Sequence, residues 1–491
     1  MIEKIRQRLF AFLKSDKDVP VLAGFSVGIY MFLLLYSRNL GMYNSLVQLL
    51  FYSCYYILMP VTILFLGCLI IEKLKFVKFK KQFLFAGVLC FFLFFIIQNN
   101  DFGFSKKIAL AASFVIVAIL SFFLKKYYKI AVVLLLFMAV LNIPSVLASV
   151  AVITFADKGY NHPTDDIEAV KFKNNPNIYY IQPDGYASFD NLKNKLHGYD
   201  NSAYEDFLSQ NGFTMYGDYR SNYASTLLSN SATFLMKHHY AANDIELFNA
   251  RGIIVGDNPV LRILKNNGYK SHFITENPYL LLNRPKLGYD TTNIPYSEIP
   301  FLGGVLAKNV CSDLKARLDE DNRSGGHNFY FIEKFLPSHI HNNKPESLGA
   351  AIEKSEYFKR LNEMNLWLKE LISFIMAKDK NAMIIIGADH GGFVGYDYMG
   401  QSFEKRTSDK ELVKSIFGAQ LAIRWTTEKS REYDTRLKTG INLFRTVFSF
   451  LSEDKKYLDS MQENSSFMRL ENNQGVYKYI GENGNIVFEK I

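Results

Sequence analysis

The feature that most constrains this 491-residue sequence is the contrast between its first 155 residues and the rest. Phe, Leu, Ile and Val dominate the first part, whereas the second has the composition of an ordinary globular chain. The apolar part contains five stretches that are long enough to cross a hydrocarbon layer of about 30 Å. These stretches are 21–38, 46–71, 83–98, 107–124 and 130–154.

Such a contrast predicts more than one structural unit, because a chain of this length exceeds one ordinary core. We expect a transmembrane anchor of five helices over 1–156, a linker over 157–174 and a globular domain over 175–491. The basic residues before the first span and the absence of a small-residue cleavage site after it argue against a cleavable signal peptide. The first span is therefore expected to stay in the mature protein.

The basic residues of the short loops predict the orientation, because loops rich in Lys and Arg stay on the cytoplasmic side. Three basic segments must share one face: the N-terminal arm, the loop after the second span and the loop after the fourth. The alternate loops carry only Arg38 and the pair at 106–107. We therefore expect a bacterial cytoplasmic (inner) membrane protein, with a cytoplasmic N-terminus and a periplasmic or extracellular C-terminal domain. The residues on the basic face include Lys4, Arg6, Arg8, Lys14, Lys17, Lys73, Lys75, Lys78, Lys80, Lys81, Lys125, Lys126 and Lys129.

The formal net charge of +9 does not indicate a nucleic-acid partner, because much of the N-terminal basic excess lies in these membrane loops. Cysteine usage is equally uninformative about a redox site. Three of the four cysteines lie in apolar runs, and Cys311, alone in the globular part, is interpreted as a small buried hydrophobe. The globular part therefore has no intradomain disulfide and depends on its core.

Short β-rich runs alternate with helical stretches in the globular part, which predicts an α/β domain with a mostly parallel central sheet. A long helical stretch, 355–378, separates two of these runs. Ligands of such sheets bind beyond the carboxyl ends of the strands. The predicted strands are 177–182 (NIYYIQ), 270–274 (KSHFI), 328–332 (NFYFI), 382–386 (AMIII) and 419–424 (AQLAIR).

Three of these runs are followed by side chains of the types that bind metal ions. Asp184 follows the first, His339 follows the third, and Asp389 and His390 follow the fourth. A single carboxylate at a strand end is explained by helix capping or a turn, but three strand ends that converge are not. Carboxylate oxygens with an imidazole suit a divalent metal ion, zinc or manganese, with magnesium also compatible.

These motifs resemble the alkaline-phosphatase-like superfamily, in particular its membrane-anchored sulfatase-like phosphotransferases of the lipoteichoic acid synthase and phosphoethanolamine or phosphoglycerol transferase type. The resemblance covers 175–450 and the anchor. Its motifs are 184–185 (DG), 221–229 (SNYASTLLS), 336–339 (LPSH) and 387–391 (GADHG). The resemblance implies that Asp184, Asp389 and His390 are metal ligands and that Thr226 is a metal-contacting nucleophile, with a phosphothreonine intermediate.

The same resemblance implies that His339 contacts the substrate phosphate or the leaving group, as a donor or general acid. Ser225 and Ser229 are competing hydroxyls. Other candidate substrate contacts also have ordinary explanations as surface or strand-end residues; these are His238, His239, Lys334 and His341.

Departures from the family pattern narrow the chemistry. No Cys/Ser-x-Pro/Ala-x-Arg segment surrounds Thr226, so sulfatase action through formylglycine is not expected. No histidine follows His390 to complete a second metal site, so we expect a single divalent ion. Asp184 stands where the lipoteichoic-type and phosphoethanolamine-type enzymes usually carry Glu. The expected partners are a phospholipid donor and a glycan or lipid acceptor; hydrolysis of the same intermediate and a non-catalytic membrane protein remain the alternatives.

Overall fold

The computed structural model describes residues 2–100, 105–155, 161–239, 245–304, 306–471 and 475–491. The chain divides into two compact units, Met1–Ala156 and Asp157–Ile491. Residues 157–160 of the predicted linker lie outside the described residues. From Asn161 onward the chain packs on the second unit, since Arg262 donates to the Asn161 carbonyl over 2.6 Å and Ile167 is fully buried.

The described residues of the first unit form helices joined by short connections. A π-helical segment, Ser53–Leu58, joins α3 to α4, and 3-10 turns at Val77–Phe79 and Lys125–Tyr127 precede α5 and α7. The α-helices are α1 Ile2–Lys14, α2 Pro20–Asn39, α3 Leu46–Tyr52, α4 Met59–Lys73, α5 Lys80–Asn99, α6 Lys106–Leu124 and α7 Tyr128–Phe155.

Four continuous helical stretches of the described residues are long and apolar enough to cross a membrane. The last of them contains 46 residues and covers the predicted fourth span and most of the fifth. The five-span count is therefore not confirmed, because the 3-10 turn between α6 and α7 keeps the backbone helical. The four stretches are Pro20–Asn39, Leu46–Lys73, Val77–Asn99 and Lys106–Ala151.

Two glycines of α2 allow close backbone packing inside the first unit. A Cβ added to Gly24 would lie 2.5 Å from the Cα of Val61, and one added to Gly28 would lie 2.3 Å from the carbonyl oxygen of Tyr56. Neither position has room for a side chain. The second hydrophobic stretch therefore lies directly against the backbone of α2.

The second unit is an α/β domain with a mostly parallel sheet, as predicted. Seven strands of its described residues form the sheet in the order β2-β7-β6-β1-β5-β3-β4. The four strands β6, β1, β5 and β3 are parallel neighbours and β4 joins them in parallel. Only β7 runs against them, and β2 pairs antiparallel with β7. The strands are β1 Ile178–Pro183, β2 Thr214–Met215, β3 Tyr269–Thr275, β4 Thr291–Thr292, β5 His327–Lys334, β6 Met383–Gly387 and β7 Leu421–Arg424.

The central strands are apolar because helices cover both faces of the sheet. Every residue of β1 is buried. Neighbouring rings stack across the strands: Tyr179 on Tyr330 with centroids 4.8 Å apart, and Tyr180 on Phe331 at 5.3 Å. The helices of this unit are α8 Phe189–Lys193, α9 Ser202–Gln210, α10 Thr226–Leu235, α11 Ile245–Ile254, α12 Pro259–Asn266, α13 Val310–Ser324, α14 Ala350–Lys378, α15 Gln401–Glu404, α16 Lys410–Phe417 and α17 Leu443–Ser452.

A small antiparallel sheet at the C-terminus packs on the segment that precedes α10. Its strands are β8 (Ser466–Leu470), β9 (Gly475–Ile480) and β10 (Ile486–Lys490), in the order β10-β9-β8. Asn222 donates to the Ser465 carbonyl over 2.9 Å, and Tyr223 forms a β-bridge with Phe467. The C-terminal sheet therefore fixes the segment that leads to Thr226.

Candidate active site

The ends of β1 and β6 bring three predicted ligands together. Asp184 follows β1 directly, and Asp389 and His390 follow β6 after one intervening residue. Because the two strands are parallel neighbours, their carboxyl ends lie at one edge of the sheet. One oxygen from each carboxylate and one ring nitrogen of His390 lie within 4.8 Å of one another.

The hydrogen bonds of this cluster leave its ligand atoms unused. Nδ1 of His390 donates to the Gly391 carbonyl over 2.8 Å, which fixes the tautomer and directs Nε2 toward the carboxylates. Nε2 lies 3.3 Å from Oδ2 of Asp389 and 3.6 Å from Oδ1 of Asp184. Both oxygens are buried without a hydrogen-bond donor among the described residues. This donor set fits a divalent cation.

The charges of the cluster also fit a bound divalent cation. Burial and the neighbouring Asp389 raise the pKa of Asp184 to about 7, against the opposing effects of His390 and a hydrogen bond from the Ser338 side chain. Burial lowers the pKa of His390, but the two carboxylates outweigh it and the net pKa is raised. Two buried carboxylates beside one imidazole are costly without a compensating positive charge.

Thr226 supplies a hydroxyl next to the cluster. It is the first residue of α10 and is partly exposed, and its Oγ1 lies 3.4 Å from Nε2 of His390. Ser225 occupies the N-cap position, but its side chain makes no capping hydrogen bond. Ser229 is buried and donates to the Tyr223 carbonyl over 2.7 Å. Of these three hydroxyls, the one at Thr226 lies beside the metal-ligand candidates.

His339 lies on the loop after β5, with its ring centroid 5.9 Å from that of His390. Its Nδ1 donates to the Ile340 carbonyl over 2.6 Å. Burial, followed by the effect of His390, lowers the pKa of His339 to about 4. The ring is therefore neutral at pH 7 and Nε2 is a proton acceptor, so it must first gain a proton to act as the expected donor.

His238 and His239 contact the segment before Thr226. Nε2 of His238 donates to the Glu463 carbonyl over 2.7 Å, and its Nδ1 lies 3.1 Å from the Tyr223 hydroxyl. Nε2 of His239 donates to the Leu228 carbonyl over 2.8 Å, and its ring stacks on Tyr223 with centroids 4.5 Å apart. These contacts favour a role in supporting the segment that leads to Thr226.

The side chains of Lys334 and His341 each have an acidic partner. Lys334 forms an ion pair with Glu276. Nδ1 of His341, an exposed residue, lies 2.9 Å from a carboxylate oxygen of Glu353. Each of these two side chains is therefore held by a carboxylate from another segment of the chain.

Ser338, on the loop after β5, received no role from the sequence but contacts Asp184 twice. It has φ +62° and donates its backbone N–H to the Asp184 carbonyl over 2.8 Å. Its side chain also hydrogen-bonds the Asp184 carboxylate. These two bonds tie the loop after β5 to the end of β1 and help to hold the carboxylate in place.

Glu333, near the end of β5, is a second residue of this region that the sequence analysis missed. It is fully buried and accepts from the Thr275 hydroxyl over 2.9 Å. Burial, with Asp184 and Asp389 nearby, raises the pKa of Glu333 well above its usual range. A carboxylate directly after the apolar run 329–332 was the signal in the sequence.

The comparisons with known proteins give distant structural likenesses. No protein-family model matches the chain, and no curated protein does. The C-terminal periplasmic domain of EptC from Escherichia coli is similar with a TM-score of 0.42 and 14% identity, over 62% of this chain and 93% of that one.

Two further solved structures are similar to the same degree. The integral membrane lipooligosaccharide phosphoethanolamine transferase A from Neisseria meningitidis has a TM-score of 0.41 and 12% identity, over 86% of this chain and 95% of that one. The lipoteichoic acid synthase LtaP from Listeria monocytogenes has a TM-score of 0.42 and 13% identity, over 67% and 92%. At these TM-scores the likeness carries no argument for the activity of this chain.

Proposed function

We propose that this chain is a membrane-bound, metal-dependent phosphotransferase. It moves a phosphoglycerol or phosphoethanolamine group from a phospholipid to an extracytoplasmic glycan or lipid. The observation that carries the proposal is the Thr226 hydroxyl, 3.4 Å from Nε2 of a histidine that also faces two buried carboxylates. A nucleophile beside a candidate metal site is the arrangement that phosphoryl transfer through an enzyme-bound intermediate requires.

Asp184, Asp389, His390 and the Thr226 oxygen would hold one divalent ion, zinc or manganese, with magnesium also compatible. Oδ1 of Asp184 and Oδ2 of Asp389 support this assignment, because both are buried and accept no hydrogen bond from the described residues. A bound ion would lower the pKa of the Thr226 hydroxyl and neutralise charge on the phosphoryl group.

In the first half-reaction, Oγ1 of Thr226 forms a bond to phosphorus, and the phosphodiester bond to diacylglycerol breaks. The hydroxyl loses its proton, and the departing diacylglycerol oxygen gains one. In the second, the acceptor hydroxyl displaces Thr226 from phosphorus and gives up its proton. Nε2 of His339 is a suitable acceptor for that proton, because Nδ1 is committed to the Ile340 carbonyl. It then passes the proton to the departing Thr226 oxygen, which restores the hydroxyl and the neutral ring.

The position of Thr226 at the N-terminus of α10 favours binding of a negatively charged substrate group. Its first backbone N–H groups have no partners within the helix and attract an anion such as a phosphate. This contribution comes from the chain itself and does not depend on the identity of the metal.

For the anchor we propose five crossings, with a reversal at the turn between α6 and α7. The 46-residue stretch is about 69 Å long at about 1.5 Å per residue, roughly twice the hydrocarbon thickness. Side-chain contacts support a reversal: Gln82 donates to Ser121 over 3.1 Å at one end of α6, and Tyr128 donates to Asp18 over 3.2 Å at the start of α7. An odd number of crossings from a cytoplasmic N-terminus would place the second unit outside.

Full-length protein in lipid nanodiscs tests this function. With zinc or manganese present, labelled phosphatidylglycerol or phosphatidylethanolamine should release diacylglycerol, and release should depend on an added glycan or lipid acceptor. Release in buffer alone would identify the hydrolase. Absence of release under every metal and acceptor condition would refute both activities.

A further inference from the structure

A polar cavity of about 600 Å³ lies in the second unit, and none of the predicted site residues lines it. Its volume falls inside the range of about 300–1,000 Å³ that is typical of ligand pockets. Its walls come from the segments after β1 and before α10, from α16 and from the C-terminal turn between β9 and β10. The C-terminal sheet, which the metal-site chemistry does not use, therefore forms one side of it.

An internal network holds this wall in place. Nη2 of Arg220 donates to the carbonyl oxygens of Asn464, Gly481 and Glu482 over 2.5, 3.3 and 3.2 Å. The side-chain amide of Asn464 donates to the Glu482 carboxylate over 2.8 Å. Arg220 is 7% exposed. The turn between β9 and β10 is thus fixed to the segment before α10 without any ligand.

The cavity keeps both hydrogen-bond donors and hydrogen-bond acceptors that a ligand could use. Nε of Arg220 is buried without an acceptor among the described residues. Asp190 and Lys414 line the cavity, and neither forms an ion pair with any described residue. The lining therefore offers hydrogen-bond donors and acceptors side by side.

The balance of charges selects among ligand classes. Four cations and three carboxylates line the cavity, so their formal charges sum to about +1, and a simple phosphate would meet repulsive carboxylates. Ile480 is the single aliphatic side chain longer than alanine among the described lining residues, so an acyl chain gains little burial. The cations are Arg220, Lys414, Arg436 and Lys438, and the acids are Asp190, Asp218 and Glu482.

We propose that this cavity binds a sugar unit. Each sugar hydroxyl donates and accepts, so it is matched by mixed carboxylate, amide and cationic groups. Ser188 follows Asp184 by four residues, and Arg220 precedes Thr226 by six, so the segments that carry Asp184 and Thr226 also form part of the cavity wall. The bound sugar is part of the acceptor glycan. Its role as an acceptor rests on the proposed function, whereas the binding of a sugar in the cavity does not.

Saturation-transfer NMR on the full chain in lipid nanodiscs, which contain no sugar-headed detergent, tests the proposal with maltose and N-acetylglucosamine as probes. We expect transfer to at least one sugar, and a loss of affinity of about tenfold or more in Asp190→Asn and in Lys414→Ala. Lys410→Ala, on an exposed position of the same helix α16, should bind as the unaltered protein does. Thermal unfolding of each variant establishes that it is folded.

No transfer to either sugar, unchanged affinity in both cavity variants, or displacement of the sugar by inorganic phosphate at equal concentration would overturn the sugar site. Thr226→Ala should keep sugar binding. If the protein binds sugar but releases no diacylglycerol, the proposed function fails and the sugar site stands. If it transfers the phosphoryl group to a glycan without measurable sugar binding, the sugar site fails and the function stands.

Discussion

The backbone N–H of Gly185 donates to Oδ1 of Asp389 over 3.1 Å and so connects the end of β1 to the end of β6. Gly185 has φ +66°, and a Cβ at this position would lie 2.6 Å from the carbonyl oxygen of Ser338. The hydroxyl of Tyr357 in α14 donates to the Gly185 carbonyl over 2.9 Å. Three loop segments and one helix therefore meet at this glycine.

Gly185→Ala should weaken metal binding and lower the unfolding temperature, because the added methyl group collides with a backbone atom and disturbs the adjacent Asp184. Gly212→Ala is the matched control: it has φ +76° but no atom within 4 Å of the added Cβ. Both variants carry left-handed strain of about 1–2 kcal/mol. Titration with zinc should separate them, and equal affinities in the two variants would contradict this account.

Replacing the metal-ligand candidates should remove the ion. Asp389→Ala and His390→Ala each delete an atom of the buried cluster, so purified protein should lose most of its bound metal by elemental analysis. His341→Ala is the histidine control, since His341 is exposed and contacts Glu353. Full metal content in either cluster variant would remove that residue from the ligand set.

Thr226 should be required for chemistry more than for metal retention. Thr226→Ala should lower diacylglycerol release by roughly a thousandfold or more, because no other hydroxyl lies beside His390 in the segment 225–229. Thr226→Ser keeps a hydroxyl and should retain part of the activity. Metal content should stay near that of the unaltered protein, since Asp184, Asp389 and His390 remain. Comparable rates for the Ala and Ser variants would argue against a nucleophilic Thr226.

Gly28→Ala should destabilise the anchor, because the added methyl group would lie 2.3 Å from the Tyr56 carbonyl oxygen. Gly87→Ala serves as its control, since there the new methyl group meets a methyl of the flexible Leu64 side chain. Thermal unfolding in detergent should show the larger loss for Gly28→Ala. A loss at least as large for Gly87→Ala would show that the close contact of Gly28 with the second stretch is unimportant.

The central strands were predictable because each is a short, fully buried apolar run. The runs 177–182, 328–332 and 382–386 correspond to β1, β5 and β6. The run 419–424 contains β7, but composition does not encode strand direction, and β7 is antiparallel to β6. The strands β2 and β4 were missed because two residues are too few to give a pattern.

Side-chain partners distant in the sequence were beyond prediction. Lys334 and His341 were candidate substrate contacts, yet their acidic partners are Glu276 and Glu353. No local pattern distinguishes a lysine that faces a phosphate from one that faces a carboxylate 58 residues away. The proximity of Asp184 to Asp389 could be predicted from the sequence, in contrast, because the carboxyl ends of parallel strands share one edge of a sheet.

The most direct test of threonine-centred phosphoryl transfer is the position of the covalent label. Metal-loaded full-length protein is incubated briefly with head-group-labelled phospholipid, without acceptor, then quenched, digested and mapped by mass spectrometry. We predict one phosphorylated peptide with the modification on Thr226, which disappears when the acceptor is added. Diacylglycerol release with no modification at Thr226, or a modification at Ser225 or Ser229 instead, would contradict the account.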